Sequence, residues 1–80
     1  MAAVVVKLHG GLVPQGTSNA GSREIHLEVS TGESIRGVLT RLDIPESRIH
    51  LVFVGKERAI LDDILRDGDV VNVFPPMAGG

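Results

Sequence analysis

The chain has 80 residues, 42% hydrophobic and 22% charged, enough apolar material for one small core and too little for a second domain. Eight Lys and Arg against ten Asp and Glu leave a net charge of −2, which argues against nucleic acid as a partner, because that affinity rests on cations neutralising phosphates. Trp, Tyr and Cys are absent and Phe occurs twice, excluding an aromatic stacking platform, a disulfide framework, thiolate metal sites and a thiol nucleophile.

In chain order, Ala2 to Leu8 is rich in β-branched residues and stops at Gly10-Gly11, which predicts a strand lying inside a sheet. Gly10 to Ser22 is a Gly-, Ser- and Pro-containing stretch that reads as a long loop, with Leu12 and Val13 as its candidate anchors. Glu24 to Val29 alternates polar and apolar, placing Ile25, Leu27 and Val29 on one face of a second strand that pairs with the first as a hairpin.

Ser34 is a helix cap, and Ile35, Val38, Leu39 and Leu42 follow at i, i+3, i+4 and i+7, the stripe of a helix laid on a sheet. Pro45 predicts that this helix ends by about Asp43. Ile49 to Val54 reads as a third strand, Gly55-Lys56 as a tight turn and Arg58 to Ile60 as a short fourth strand. Leu61, Ile64 and Leu65 are spaced for one helical turn, Asp67-Gly68-Asp69 for a turn, and Val70 to Phe74 for a last strand.

This order predicts an α+β fold of the β-grasp kind: a mixed sheet of four to five strands, the first and last parallel, with one main helix across it. Residues 1–74 form the expected domain, and Pro75-Pro76, which cannot donate to a ladder, start an expected tail of residues 75–80. The longest apolar run is too short for a membrane span, and no basic segment precedes a signal-like core; a cytoplasmic protein without a membrane partner is expected.

No spacing assembles a side-chain catalyst. His9, His26 and His50 lie far apart without a His-x-x-x-His pattern, so no metal site is expected and they read as surface or strand-edge histidines. Ser18, Ser22, Ser30, Ser34 and Ser47 fall in loops or at caps, with no Gly-x-Ser-x-Gly elbow around any of them. Gly10-Gly11 lacks a phosphate loop's spacing and reads as a hairpin tip. Asp62, Asp63, Asp67 and Asp69 read as turn and helix-start chemistry; the alternative is an acidic docking surface for a basic partner.

The remaining chemistry lies at the C-terminus. Gly79-Gly80 carries no side chains and can thread a channel too narrow for other residues, presenting an ionised α-carboxylate. Such a carboxylate can attack an α-phosphate to give an acyl-adenylate, which a nucleophile such as sulfur can resolve. A frayed end rich in small residues is the alternative.

The run Leu65-Arg66-Asp67-Gly68-Asp69-Val70-Val71 into Phe74-Pro75-Pro76-Met77-Ala78-Gly79-Gly80 resembles the MoaD/ThiS family of ubiquitin-like sulfur carriers. Thr31-Gly32-Glu33-Ser34-Ile35, Leu42-Asp43-Ile44-Pro45 and Val52-Phe53-Val54-Gly55-Lys56 are similar to that family's pattern too. The resemblance implies a covalent co-substrate rather than an enzyme. An E1-like enzyme would use ATP to adenylate Gly80, and a sulfurtransferase or cysteine desulfurase would convert it to a thiocarboxylate that donates sulfur in cofactor biosynthesis.

Under this resemblance Gly79 is the required small neighbour, and Phe74, Pro75, Pro76, Met77 and Ala78 form the stalk read by partners, with no cofactor permanently bound. Phe-Pro-Pro before x-x-Gly-Gly looks closest to the small subunit of molybdopterin synthase. That implies a synthase large subunit as acceptor, in a molybdenum- or tungsten-cofactor pathway. Alternatives are a thiamine-type carrier serving a thiazole synthase, a ubiquitin-like protein modifier joined to lysines, and a non-catalytic interaction module.

Overall fold

The structure, a computed structural model, describes residues 1–10, 12 and 23–76. Five strands form one mixed sheet: β1 (Ala2–Leu8), β2 (Arg23–Val29), β3 (Leu51–Val54), β4 (Glu57–Ala59) and β5 (Val70–Phe74), in the order β2-β1-β5-β3-β4. One helix, α1 (Ile35–Arg41), and a short 3₁₀ turn (Glu46–Arg48) lie between β2 and β3. β1 pairs antiparallel with β2 and parallel with β5, and β3 pairs antiparallel with both β4 and β5. This is the expected α+β, β-grasp arrangement.

Alternation along the strands sends one set of side chains to the helix side. Val4, Val6 and Leu8 of β1, Val29 of β2, Val52 of β3 and Val71 and Val73 of β5 are buried with Ile35, Val38 and Leu39 of α1. Leu12 joins this core as the sequence suggests; Val13 and the rest of the expected loop, residues 11 and 13–22, lie outside the described residues. Among the described residues no polar side chain is buried, so the core is held by apolar packing alone.

Both helix ends carry specific caps. Ser34 Oγ accepts from Gly37 N at 3.1 Å, while the amides of Ile35 and Arg36 donate to the carbonyls of Asp63 and Leu61 at 3.0 and 2.9 Å, so the first-turn donors that a helix leaves unpaired all find acceptors. At the other end Asp43 N reaches Thr40 O and Ile44 N reaches Leu39 O, both at 3.0 Å, with Asp43 at φ +59°. These crossed bonds are the Schellman pattern, and Ile44 and Leu39, its usual apolar pair, are both buried. The helix therefore stops at a specific cap, two residues before Pro45.

Four elements differ from the sequence expectation: β2 starts at Arg23 rather than Glu24, and β4 is Glu57–Ala59 rather than Arg58 to Ile60, because Ile60 N leaves the ladder for Asp63 Oδ2; the other two are β3 and residues 61–65. β3 begins at Leu51 rather than Ile49, because Arg48 N and Ile49 N donate to Pro45 O and Glu46 O in the 3₁₀ turn. Residues 61–65 form no helical turn: Leu61 O and Asp63 O are taken by α1, Leu65 N donates to Glu33 O, and Ser34 and Ile64 form an isolated bridge. The backbone groups a helical turn would pair internally are spent on the start of α1. Leu65 is buried, whereas Ile64 is 54% and Ile60 65% exposed.

Candidate functional site at the end of the central strand

β5 is the middle strand of the sheet and delivers the chain to Pro75-Pro76. The link to β1 is set by the Asp67-Gly68-Asp69 turn, where Asp67 Oδ1 accepts from Ala3 N at 2.8 Å and Gly68 N donates to Ala3 O at 2.8 Å. Gly68 sits at φ +88°, a conformation open to glycine at little cost. Val5 N then donates to Asp69 O, and the parallel register runs from Val5 opposite Val70 to Leu8 opposite Val73.

The four aspartates singled out from the sequence all have partners within the chain. Asp63 Oδ2 accepts from Ile60 N and Asp69 Oδ2 from Arg66 N, at 3.1 and 2.8 Å. Asp67 holds β1, and Asp62 pairs with Arg36, which also holds Glu46. The hydrogen bonds Arg36 donates to Glu46 and then to Asp62 raise its pKa above the ordinary guanidinium range, so the guanidinium at the centre of this exposed clasp between α1, the 3₁₀ turn and the 61–65 segment stays charged. The turn reading holds for Asp63 and Asp69; the helix-start reading fails because residues 61–65 form no helical turn, and Asp62 and Asp67 hold partners distant in sequence.

At its far end β5 is gripped on both sides. His9 N donates to Val73 O at 3.0 Å and His50 N to Phe74 O at 2.8 Å. Pro75 has no N–H, so pairing cannot continue through it as a donor, and the strand stops at Phe74. Phe74 lies on the face away from α1, between two rings: His9 stacks on it with centroids 4.5 Å apart and an interplanar angle of 9°, and Phe53 meets it edge-on at 5.9 Å and 89°. His9 Nε2 is also 3.0 Å from Asn72 Oδ1.

Pro75 rests on Gly10, where a Cβ would come within 2.9 Å of its Cγ, and Gly10 holds φ +64°. Of the expected stalk, then, Phe74 and Pro75 are half-buried against the body and Pro76 is exposed. Met77, Ala78, Gly79 and Gly80 lie outside the described residues. Beside Phe74, Leu51 and Phe53 of β3 and Val5 and Val70 of the parallel pair share the open face by register and alternation. Lys7 and Arg58 flank this apolar strip, Lys7 opposite both Asn72 and Glu24, and Arg58 opposite Phe53.

Sequence reasoning places Phe74 and the prolines in the site but misses His9, Gly10, Leu51 and Phe53. His26 and His50 are exposed, as surface histidines should be, and His26 pairs with Glu24 at 2.8 Å. His9 instead meets residues more than sixty positions away, a contact no local pattern encodes. Its only signal is that Lys7 and His9 alternate with the buried face of β1, which puts His9 on the same side as Phe74 once the parallel register is known.

Among the described residues no three His, Asp or Glu side chains converge as a metal site, and no helix is long and apolar enough to cross a membrane. The site therefore offers an apolar, cation-flanked sheet face and an anchored exit for a chain end.

Comparison with solved structures places this architecture among ubiquitin-like proteins. SAMP1 from Haloferax volcanii is 25% identical and superposes with a TM-score of 0.72 over 99% of this chain and 100% of its own. A second structure, of small archaeal modifier protein 1 from H. volcanii, gives 25% identity and a TM-score of 0.71 over 96% and 100%. A candidate molybdopterin converting factor subunit 1 from Pyrococcus furiosus, at 22% identity and a TM-score of 0.65 over 96% and 100%, shares the fold. No curated protein gives a match. The family described as ThiS matches residues 17–80, a span that includes α1, four of the five strands and the terminal glycines; the chain belongs to the ThiS family.

Proposed function

We propose that the protein is a sulfur carrier that works through the carboxylate of Gly80. The observation that carries this reading is the conjunction of a ThiS-family match running through Gly80 with a tail base anchored at the end of the central strand. An E1-like enzyme would bring ATP to Gly80. The carboxylate oxygen attacks the α-phosphorus and pyrophosphate leaves; the outer sulfur of a persulfide on a sulfurtransferase or cysteine desulfurase then attacks the acyl carbon, AMP leaves, and a second thiol cleaves the acyl disulfide, forming a disulfide with the donor and releasing the thiocarboxylate. The protein is then a consumed and regenerated co-substrate, not a catalyst.

Each part of the tail has a physical task in this scheme. Gly79 and Gly80 present no Cβ to a narrow channel. Pro75-Pro76 favours extended geometry at about 3.1 Å per residue, so a stalk beginning at Pro75 spends less entropy on docking than a fully flexible one. The Phe-Pro-Pro stalk favours the molybdopterin branch over the thiazole branch, with a synthase large subunit as acceptor, and the fold shared with the P. furiosus protein accords with that choice. The half-buried Leu51, Phe53 and Phe74 supply an apolar face for these partners.

The test is ATP–pyrophosphate exchange by an E1-like enzyme of the molybdopterin branch, with this protein as substrate. Exchange should be lost on deleting Gly80 and on Gly79→Val, while the thermal midpoint stays unchanged; exchange retained by either variant contradicts the scheme. A second reading, a protein modifier joined through Gly80 to lysine amines, is favoured by the likeness to a protein described as a small archaeal modifier. Isopeptide-linked conjugates in cell extract would support it, whereas a dedicated carrier gives none.

A further inference from the structure

Outside the terminal glycines, the feature least explained by folding alone is the set of contacts around the tail base. His9 follows the last residue of β1 and Gly10 starts the connection beyond it. Neither contributes to the buried apolar core. Both nevertheless act on the two residues that take the chain off the sheet: the His9 ring lies flat on Phe74, and Gly10 leaves a gap that the Pro75 ring fills. Asn72 Oδ1, 3.0 Å from His9 Nε2, fixes the ring's rotation.

We propose that His9 and Gly10 form a latch that sets the direction in which the stalk leaves the sheet, and that both are positioning residues for activation of the chain end. Phe74 is restrained by a ring on each side and by its carbonyl bond to His50 N. Pro75 has a fixed φ and the following Pro76 holds its ψ extended, so the Gly10 contact, by seating the Pro75 ring, sets the direction in which Pro76 leaves. A stalk already aimed loses less freedom on docking, which lowers the KM of the activating step without changing its chemistry. The consequence for activation rests on the proposed role of Gly80; the aiming itself does not.

Two variants disturb the latch differently. His9→Ala removes the stacked ring, and Gly10→Ala inserts a Cβ against Pro75 while also straining a left-handed position. Gly10→Asn adds the same Cβ at less backbone cost, since Asn tolerates that region, so the pair separates mis-aiming from strain. In ATP–pyrophosphate exchange with the E1-like enzyme, all three should raise KM about tenfold, a loss of about 1.4 kcal/mol in docking, with kcat little changed.

Direction is also read with no enzyme present. The chain has no cysteine, so Met77→Cys carries a single nitroxide, and paramagnetic broadening of the sheet amides maps where the stalk points. His9→Ala, Gly10→Ala and Gly10→Asn should each shift that pattern. An unchanged pattern overturns the latch, whatever the enzyme assay gives. If the pattern shifts but the wild-type protein supports no exchange, the latch stands as an aiming device and the proposed role of Gly80 fails. If the pattern shifts, the wild type is activated and the KM values stay equal, the positioning role is overturned.

Discussion

Asp43 takes φ +59° where α1 ends, a region costing an L-residue roughly 1–2 kcal/mol. The crossed bonds to Thr40 and Leu39 and the burial of Ile44 hold it there. Glycine removes that cost and adds about 0.5–1 kcal/mol of unfolded-state entropy, so Asp43→Gly should stabilise the protein by about 0.5 kcal/mol, read as a higher urea midpoint at constant m-value. Asp67 presents the opposite case. Its carboxylate accepts from Ala3 N at an exposed site, closing the turn that registers β5 on β1, and Asp67→Ala should cost about 0.5–1.5 kcal/mol, the net range for a hydrogen bond in contact with water. Thermal unfolding checks this, and an unchanged midpoint would show that the bond does not anchor the register.

The segment between β4 and β5 shows where local patterns stop being informative. Leu61, Ile64 and Leu65 carry helical spacing, yet their backbone serves as acceptor and donor for the start of α1. Leu65 reaches the core while Ile64 faces solvent. Leu65→Ala should therefore cost about 2–5 kcal/mol and Ile64→Ala no more than about 0.5 kcal/mol, a contrast that denaturant titration of the two variants reads directly. Equal, large losses would contradict the extended arrangement. Strands β1, β2 and β5, the Ser34 cap and the helical stripe were legible because each is written in alternation, spacing or cap chemistry within a few residues. The 61–65 segment and the His9–Phe74 stack were not, because their partners come from elements distant in sequence, and the Schellman cap, though local, has Asp43 where the usual signal is glycine.

Across the whole molecule, the fold brings the ends of β1, β3 and β5 together at one place. The last two carbonyls of β5 are held from both neighbours, by His9 N and His50 N. Phe74 is locked between rings, and two prolines follow. The sheet face beside this exit is half-buried and apolar, bordered by Lys7 and Arg58. A stalk base held in this way suits the role proposed for Gly80. That proposed role comes from the tail sequence through resemblance alone, whereas the residues that hold the stalk's base depended on the parallel pairing of the first and last strands.

The most direct test of the carrier role is the intact mass of the protein after incubation with ATP, an E1-like enzyme and a sulfur source, compared with protein isolated from its own cells. Oxidation of Met1 or Met77 adds nearly the same mass as replacing oxygen by sulfur, so the gain is assigned by alkylating the product and fragmenting its C-terminal peptide. The predicted result is a thiocarboxylate at Gly80. An unmodified Gly80 in both samples, with the same enzymes shown to activate another ThiS-family protein, would contradict the account.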